Sequence, residues 1–188
     1  MSKSIYKKGE LLDIVSLAQK GDIKALEELI KRVQKQIFAI FSHLTSKKED
    51  VSDLTQEALL KMARSIVSLK DLKKFKPWLD QIITNIFYDY TRKKNDKVIQ
   101  ISEKDFKEIK DKIGCEPGEK CFFTELEKII NSAIMTLPYE FRITLVLREY
   151  EGLSYSDIAE ITNTTVGTVK SRISRARGKL QQELKEFI

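Results

Sequence analysis

Residues Gly152 to Leu180 read GLSYSDIAEITNTTVGTVKSRISRARGKL. Ser154 stands where a helix N-cap belongs and Asp157 where a first-turn acid is favoured, ahead of Ile158, Ala159 and Ile161 as a buried face. That order predicts a short helix. Thr162, Asn163, Thr164 and Thr165 interrupt it with hydrogen-bonding side chains suited to a turn and to capping the next helix. In this longer second helix, Val166, Val169, Ile173, Ala176, Leu180 and Leu184 recur at steps of three and four and form one inward stripe.

At about 100° per residue, the opposite face of that second helix presents Gly167, Thr168, Ser171, Ser174, Arg175 and Gly178. Small residues there let a helix sink into a major groove, and Arg175 can reach base edges. Lys170, Arg172, Arg177 and Lys179 flank the face at the angle of the phosphate backbones. A solvated basic helix would explain the charges alone. The short helix and polar turn in front of it favour a helix-turn-helix that binds duplex DNA. Upstream, Phe122, Leu126, Ile129, Ile130 and Ala133, then Phe141, Leu145 and Val146, predict two more amphipathic helices broken at Leu137-Pro138, with Pro138 in the first turn of the second.

Earlier in the chain, from Leu11 to about Lys97, apolar residues recur at helical spacing, with breaks at Gly21-Asp22, Thr45 to Asp50 and Leu69 to Pro77. Four helices fit. In VSDLTQEALLKMARSI, Leu54, Ala58 and Met62 face inward while Asp53, Gln56, Glu57, Leu60 and Arg64 face outward. An acidic and polar patch around an exposed leucine suits a basic protein helix, and equally an ordinary surface. In FKPWLDQIITNIFYDYTRKKNDK, Leu79, Ile82, Ile83, Ile86 and Tyr90 form the buried stripe. Gln81, Thr84, Asn85, Tyr88 and Arg92 point away from it, a set able to stack on and hydrogen-bond unpaired bases. Trp78 sits on the border between the faces. Lys70, Lys73, Lys74 and Lys76 precede this helix, where they can hold a phosphate backbone or simply face water, and Lys93, Lys94 and Lys97 extend its basic end.

Between Val98 and Lys120 the helical pattern lapses into mixed charge ending in Gly114, Pro117 and Gly118. The expected organisation is therefore all-α: two small helical domains, 1–97 and 121–188, joined by a flexible linker at 98–120. Composition agrees, with seven Gly and three Pro among 188 residues and a formal charge of +6 that favours an anionic partner. No run approaches the roughly 18 apolar residues of a membrane span, and the start lacks a signal-peptide run. A cytoplasmic protein without membrane insertion is expected. Cys115 and Cys121 match no common zinc spacing, and His43 is the single histidine. With little material for a triad or a metal centre, no enzyme activity, cofactor, metal or small-molecule substrate is expected.

Four stretches in order, DLTQEALLKM at Asp53 to Met62, FKPWLDQIITNIFYDYTRKK at Phe75 to Lys94, LPYEFR at Leu137 to Arg142 and YSDIAEITNTTVGTVKSRISRARGKL at Tyr155 to Leu180, carry a likeness that covers nearly the whole chain. It resembles bacterial sigma factors of the sigma-70 family, in the compact extracytoplasmic-function class. The resemblance implies a region 2 domain whose Asp53, Gln56, Glu57 and Leu60 dock on the β′ clamp helices of core RNA polymerase. It implies that Lys73, Lys74, Trp78, Gln81, Asn85, Tyr88 and Arg92, on the next helix and the loop before it, capture the non-template strand of the minus-ten element. It implies a region 4 domain that packs on the β flap and reads the minus-thirty-five element through Lys170, Ser171, Ser174 and Arg175, with Thr168, Arg172 and Arg177 beside them. An anti-sigma factor is a further partner of such surfaces. Two rivals remain open: a helix-turn-helix regulator that never joins polymerase, which leaves the Asp53 face idle, and an enzyme acting on nucleic acid, for which the sequence offers neither a carboxylate cluster nor a nucleophile with a base.

Overall fold

The computed structural model describes residues 8–95 and 125–185. The expected linker at 98–120, with Cys115, lies outside the described residues, as do Lys97, Cys121 and Phe122. Eight α-helices and no strands occur among those described. The first half holds α1 (Lys8–Gln19), α2 (Ile23–Leu44), α3 (Lys48–Ser65) and α4 (Phe75–Asn95). The second holds α5 (Glu125–Met135), α6 (Tyr139–Glu149), α7 (Tyr155–Ile161) and α8 (Val166–Leu184).

Local chemistry accounts for the boundaries. Gly21 takes φ 89° between α1 and α2, a left-handed conformation that costs glycine nothing. Asp22 then caps α2, its Oδ1 accepting from the Ala25 N–H at 3.0 Å. The break expected at Leu69–Pro77 lies three residues earlier, between Ser65 and Phe75. Two single 3-10 turns, Ile66–Ser68 and Leu72–Lys74, fill it, and α4 begins at Phe75 with Pro77 in the first turn, where no N–H is needed. Pro138, by contrast, occupies the N-cap of α6 and not its first turn.

Ser154 and Asp157 cap α7 reciprocally: Ser154 Oγ accepts from the Asp157 N–H at 3.1 Å, and Asp157 Oδ2 accepts from the Ser154 N–H at 3.3 Å. Thr165 caps α8 by accepting from the Thr168 N–H at 3.1 Å. Ser154→Ala removes one of these acceptors and is expected to lower global stability by about 1 kcal/mol. Urea unfolding of the full chain measures this, and an unchanged midpoint would discount the cap.

The first-half core is built from Leu29, Val33, Ile37 and Phe41 of α2, Leu54, Ala58 and Met62 of α3, and Leu79, Ile83 and Ile86 of α4. Val169, Ile173 and Ala176 form the buried stripe of α8. Val166, expected in that stripe, is 40% exposed at the first turn of the helix. The two halves do not stand apart. Ile143, Val146, Leu147, Ile158 and Ile173 belong to the same apolar cluster as the first-half core, through contacts of α2 with α5 and α6 and of α4 with α6 and α7.

Polar side chains reinforce this junction. Arg142 donates to the Leu44 carbonyl at 2.7 Å across it, and to the Met135 and Leu137 carbonyls at 2.6 and 2.9 Å within its own half. Burial holds its pKa down at about 10. Asn131 donates to the Ser42 carbonyl at 3.0 Å and accepts from His43 Nδ1 at 3.0 Å, and the His43 ring stacks on Tyr150.

Candidate nucleic-acid and polymerase interfaces

On α3, burial of Val51, Leu54, Thr55, Ala58 and Met62 turns the other side outward. Asp53, Gln56, Glu57 and Leu60 are all exposed, Leu60 to 56%, and together with Lys61, Arg64 and Ser65 they line one shallow groove. The groove has an apolar centre in Leu60, ringed by polar and charged groups.

Gln81, Asn85 and Arg92 are exposed on α4, and Lys73 and Lys74 are exposed just before it. Arg92 pairs with Asp89 of its own helix at 2.8 Å. Trp78 is half-buried, packed on the core with its ring centroid 5.9 Å from that of Phe75. Thr84 departs from the expectation: it is wholly buried and its hydroxyl donates back to the Asp80 carbonyl at 2.8 Å. The cause is a second buried face. Asp80, Thr84 and Phe87 lie roughly 100° around α4 from the Leu79–Ile86 stripe and are buried as well, on a helix that also contacts α6 and α7 of the second half.

Tyr88 sits at the edge of this second face. Its ring meets Tyr139 of α6 edge to face with centroids 5.9 Å apart, and Arg172 of α8 faces its phenol. Burial pushes the Tyr88 pKa up, with the Arg172 charge pulling the other way. Tyr88, Arg92, Tyr139, Glu140, Thr162, Thr164 and Arg172 thus line one cleft between the halves. Lys76, grouped in the sequence with the phosphate-facing lysines, instead reaches Glu151 at 3.3 Å across the junction.

On α8, Lys170, Ser171, Ser174 and Arg175 are exposed side by side, opposite the buried stripe. Thr168 is half-buried, its hydroxyl against that of the capping Thr165 at 2.9 Å. Arg177 is paired with Glu149 of α6 at 2.5 Å, a bond that raises its pKa further. This holds α8 against the helix behind it, a role its basic flank did not reveal.

Two residues with structural roles carry no signal in the sequence pattern. Asp80, fully buried with no hydrogen-bond partner on either carboxylate oxygen, lies beside Glu151 and Lys76. Gln19 donates from one amide nitrogen to the carbonyls of Ile66 and Leu69, at 2.9 and 2.7 Å. No group of three or more His, Cys, Asp or Glu suited to a metal occurs among the described residues, and none of their helices is long and apolar enough to cross a membrane.

Compared with known proteins, the chain matches the family model "Sigma-70 region 2" over residues 29–97 and "Sigma-70, region 4" over 127–180. An ECF RNA polymerase sigma-E factor from Haemophilus influenzae is 33% identical over 186 residues, covering 93% of this chain and 95% of the relative. The RNA polymerase sigma-H factor of Pseudomonas aeruginosa is 30% identical over 184 residues, covering 93% and 94%. Among solved structures, the sigma factor RpoE in complex with the anti-sigma factor NepR from Bartonella quintana has a TM-score of 0.63 and 28% identity, covering 87% of this chain and 98% of that one. CnrH in complex with the cytosolic domain of CnrY shares the fold at a TM-score of 0.63 and 21% identity, covering 93% and 97%.

Proposed function

The chain belongs to the sigma-70 family of RNA polymerase sigma factors, and on that premise we propose how its surfaces divide the work of transcription initiation. As a sigma factor it joins core RNA polymerase and directs it to promoters; it is not an enzyme of its own. Residues 1–97 serve as the region 2 domain and 121–188 as the region 4 domain, with 98–120 between them.

The exposed groove of Asp53, Gln56, Glu57 and Leu60 docks on the β′ clamp helices. Lys73, Lys74, Trp78, Gln81, Asn85, Tyr88 and Arg92 capture the non-template strand of the minus-ten element. Stacking and charge favour the opened strand there, so melting is driven by binding energy. Lys170, Ser171, Ser174 and Arg175 read the minus-thirty-five element in the major groove while region 4 rests on the β flap. Thr168, Arg172 and Arg177 contribute at its phosphate margin. An anti-sigma factor that covers these faces is part of the same reading, as is action in the cytoplasm, where core polymerase and promoters are found.

The observation that carries the reading is the exposed polar face of α8 directly opposite its buried stripe, behind a reciprocally capped short helix. A second observation refines it. The two elements are about 25 base pairs apart by their names, roughly 85 Å of duplex at 3.4 Å per step, yet Tyr88 lies against Tyr139 and Arg172. The arrangement is a closed one, and the halves separate when both elements are engaged.

The test is transcription by core polymerase on a promoter library, with the chain added or omitted and start sites sequenced. Chain-dependent initiation with shared motifs near minus ten and minus thirty-five is expected. Arg175→Ala should then cost roughly 10- to 100-fold at one upstream base position, whereas Arg177→Ala, at the phosphate margin, should weaken all sequences alike. Specific duplex binding without core binding would favour the helix-turn-helix regulator instead.

A further inference from the structure

Between α3 and α4 the chain makes a projecting tip. Ile66 and Leu69 are buried, and between them Val67, at 69% exposure, and Ser68 are thrust outward. The turn is closed by the Leu69 N–H on the Ile66 carbonyl at 3.1 Å and by the Ser68 hydroxyl on the Ser65 carbonyl at 2.6 Å. Beyond it, Asp71 caps a second turn that carries Lys73 and Lys74, accepting from the Lys73 N–H at 2.9 Å.

The buried Ile66 and Leu69 side chains seat the turn in the core shared with α4, and a further link fixes its backbone. The link is Gln19 at the end of α1, 47 and 50 positions away in sequence, whose amide donates to the carbonyls on both sides of the Val67-Ser68 tip. One planar amide with two N–H groups sets both the position and the rotation of the turn, which a single hydrogen bond would not. Gln19 also precedes the segment matched as region 2, which begins at residue 29.

We propose that Gln19 is a positioning residue for promoter opening: by holding the Ile66 and Leu69 carbonyls it presents the Val67-Ser68 tip and the lysines after it to the unpaired minus-ten strand. The inference rests on the reading that this loop and α4 capture that strand. A loop that must meet one flipped or stacked base loses discrimination when it moves by about an ångström. Core docking through α3 and duplex reading through α8 use other surfaces and are indifferent to it.

Holoenzyme assembled from core polymerase and the full chain tests this with two substitutions. Gln19→Met keeps length and apolar bulk but has no N–H, whereas Gln19→Arg keeps several donors. Promoters varied one base at a time are scored by the concentration giving half-maximal open complex. In Gln19→Met, preference among minus-ten bases should flatten by about tenfold, the loss of two neutral hydrogen bonds. Gln19→Arg should restore it to within about threefold, on the same scale of hydrogen-bond contributions. Core affinity and minus-thirty-five preference should stay at the parent values, and the thermal unfolding midpoint of Gln19→Met should fall only by the few degrees that two hydrogen bonds are worth.

A Lys73→Ala, Lys74→Ala variant reports separately on the underlying reading. If it leaves minus-ten capture untouched, the loop is not at the element and the premise fails. If it weakens capture while Gln19→Met keeps full base preference, the positioning role alone is overturned. Equal losses at both elements together with a larger fall in the midpoint, unrestored by Gln19→Arg, overturn it too and leave Gln19 a packing residue.

Discussion

Asp53→Lys combined with Glu57→Lys is expected to lower affinity for core RNA polymerase about a hundredfold or more while leaving the fold intact. Both side chains are exposed on α3 beside Leu60, and the helix is anchored from its other side by Leu54, Ala58 and Met62, so reversal disturbs no core contact. A docking surface of opposite charge loses attraction and gains repulsion. Truncating one member of a desolvated charge pair costs about 2–5 kcal/mol. Even a loss of about 3 kcal/mol exceeds a hundredfold in Kd. Titrating labelled chain with core polymerase measures the affinity, and minus-thirty-five duplex binding by the same variant checks that α8 is unaffected. Undiminished core binding would move the polymerase contact off α3.

How far the sequence disclosed these surfaces depended on the distance over which each was determined. The exposed face of α8 was legible because everything that orients it is local: Ser154 and Thr165 cap within three residues, and the stripe of Val169, Ile173 and Ala176 sets the opposite face. The α3 groove was legible for the same reason. On α4, periodicity gave the Leu79–Ile86 stripe correctly, but it carries no trace of a second cover, so Thr84 read as outward when it is buried. Arg142, Gln19 and Glu151 act through partners 98, 47 and 115 positions away, and two of the three bond to backbone carbonyls, which leave no residue-type signature to match. Arg172 and Arg177 illustrate the converse. Their charge was visible, but not their engagement with Tyr88 and Glu149.

Opening of the closed arrangement is expected to increase at most about tenfold from pH 7 to pH 8, and Asp80→Asn should abolish that response. Asp80 is buried between α4 and the second half, beside Glu151, whose own side chain is only 7% exposed and is held by Gln36 and Lys76. Burial first, and then the Glu151 charge, push the Asp80 pKa up to about 8, with Lys76 pulling it down. Separation of the halves returns the group to water and to an ordinary value near 4. Closure therefore retains a proton that the open chain releases. The contribution of Asp80 to closure is complete below about pH 4 and is lost progressively as pH rises to about 8, at about 1.4 kcal/mol per pH unit.

His43 works in the opposite sense on the same junction. Burial lowers its pKa, so closure weakens as pH falls below about 6.5, where the open chain would protonate it. The interval from pH 7 to 8 isolates Asp80. Energy transfer between dyes at Lys31→Cys on α2 and Lys179→Cys on α8, with Cys115 and Cys121 replaced by serine, reports the separation of the halves. A rising open fraction in the parent and a flat one in Asp80→Asn are expected. The same slope in both would assign the titration to another group, and no slope in the parent would mean that Asp80 keeps its proton, or its burial, when the halves part. Because Tyr88 and Arg172 face each other only when closed, each tenfold gain in opening should carry through to promoter binding by the free chain until the open form predominates.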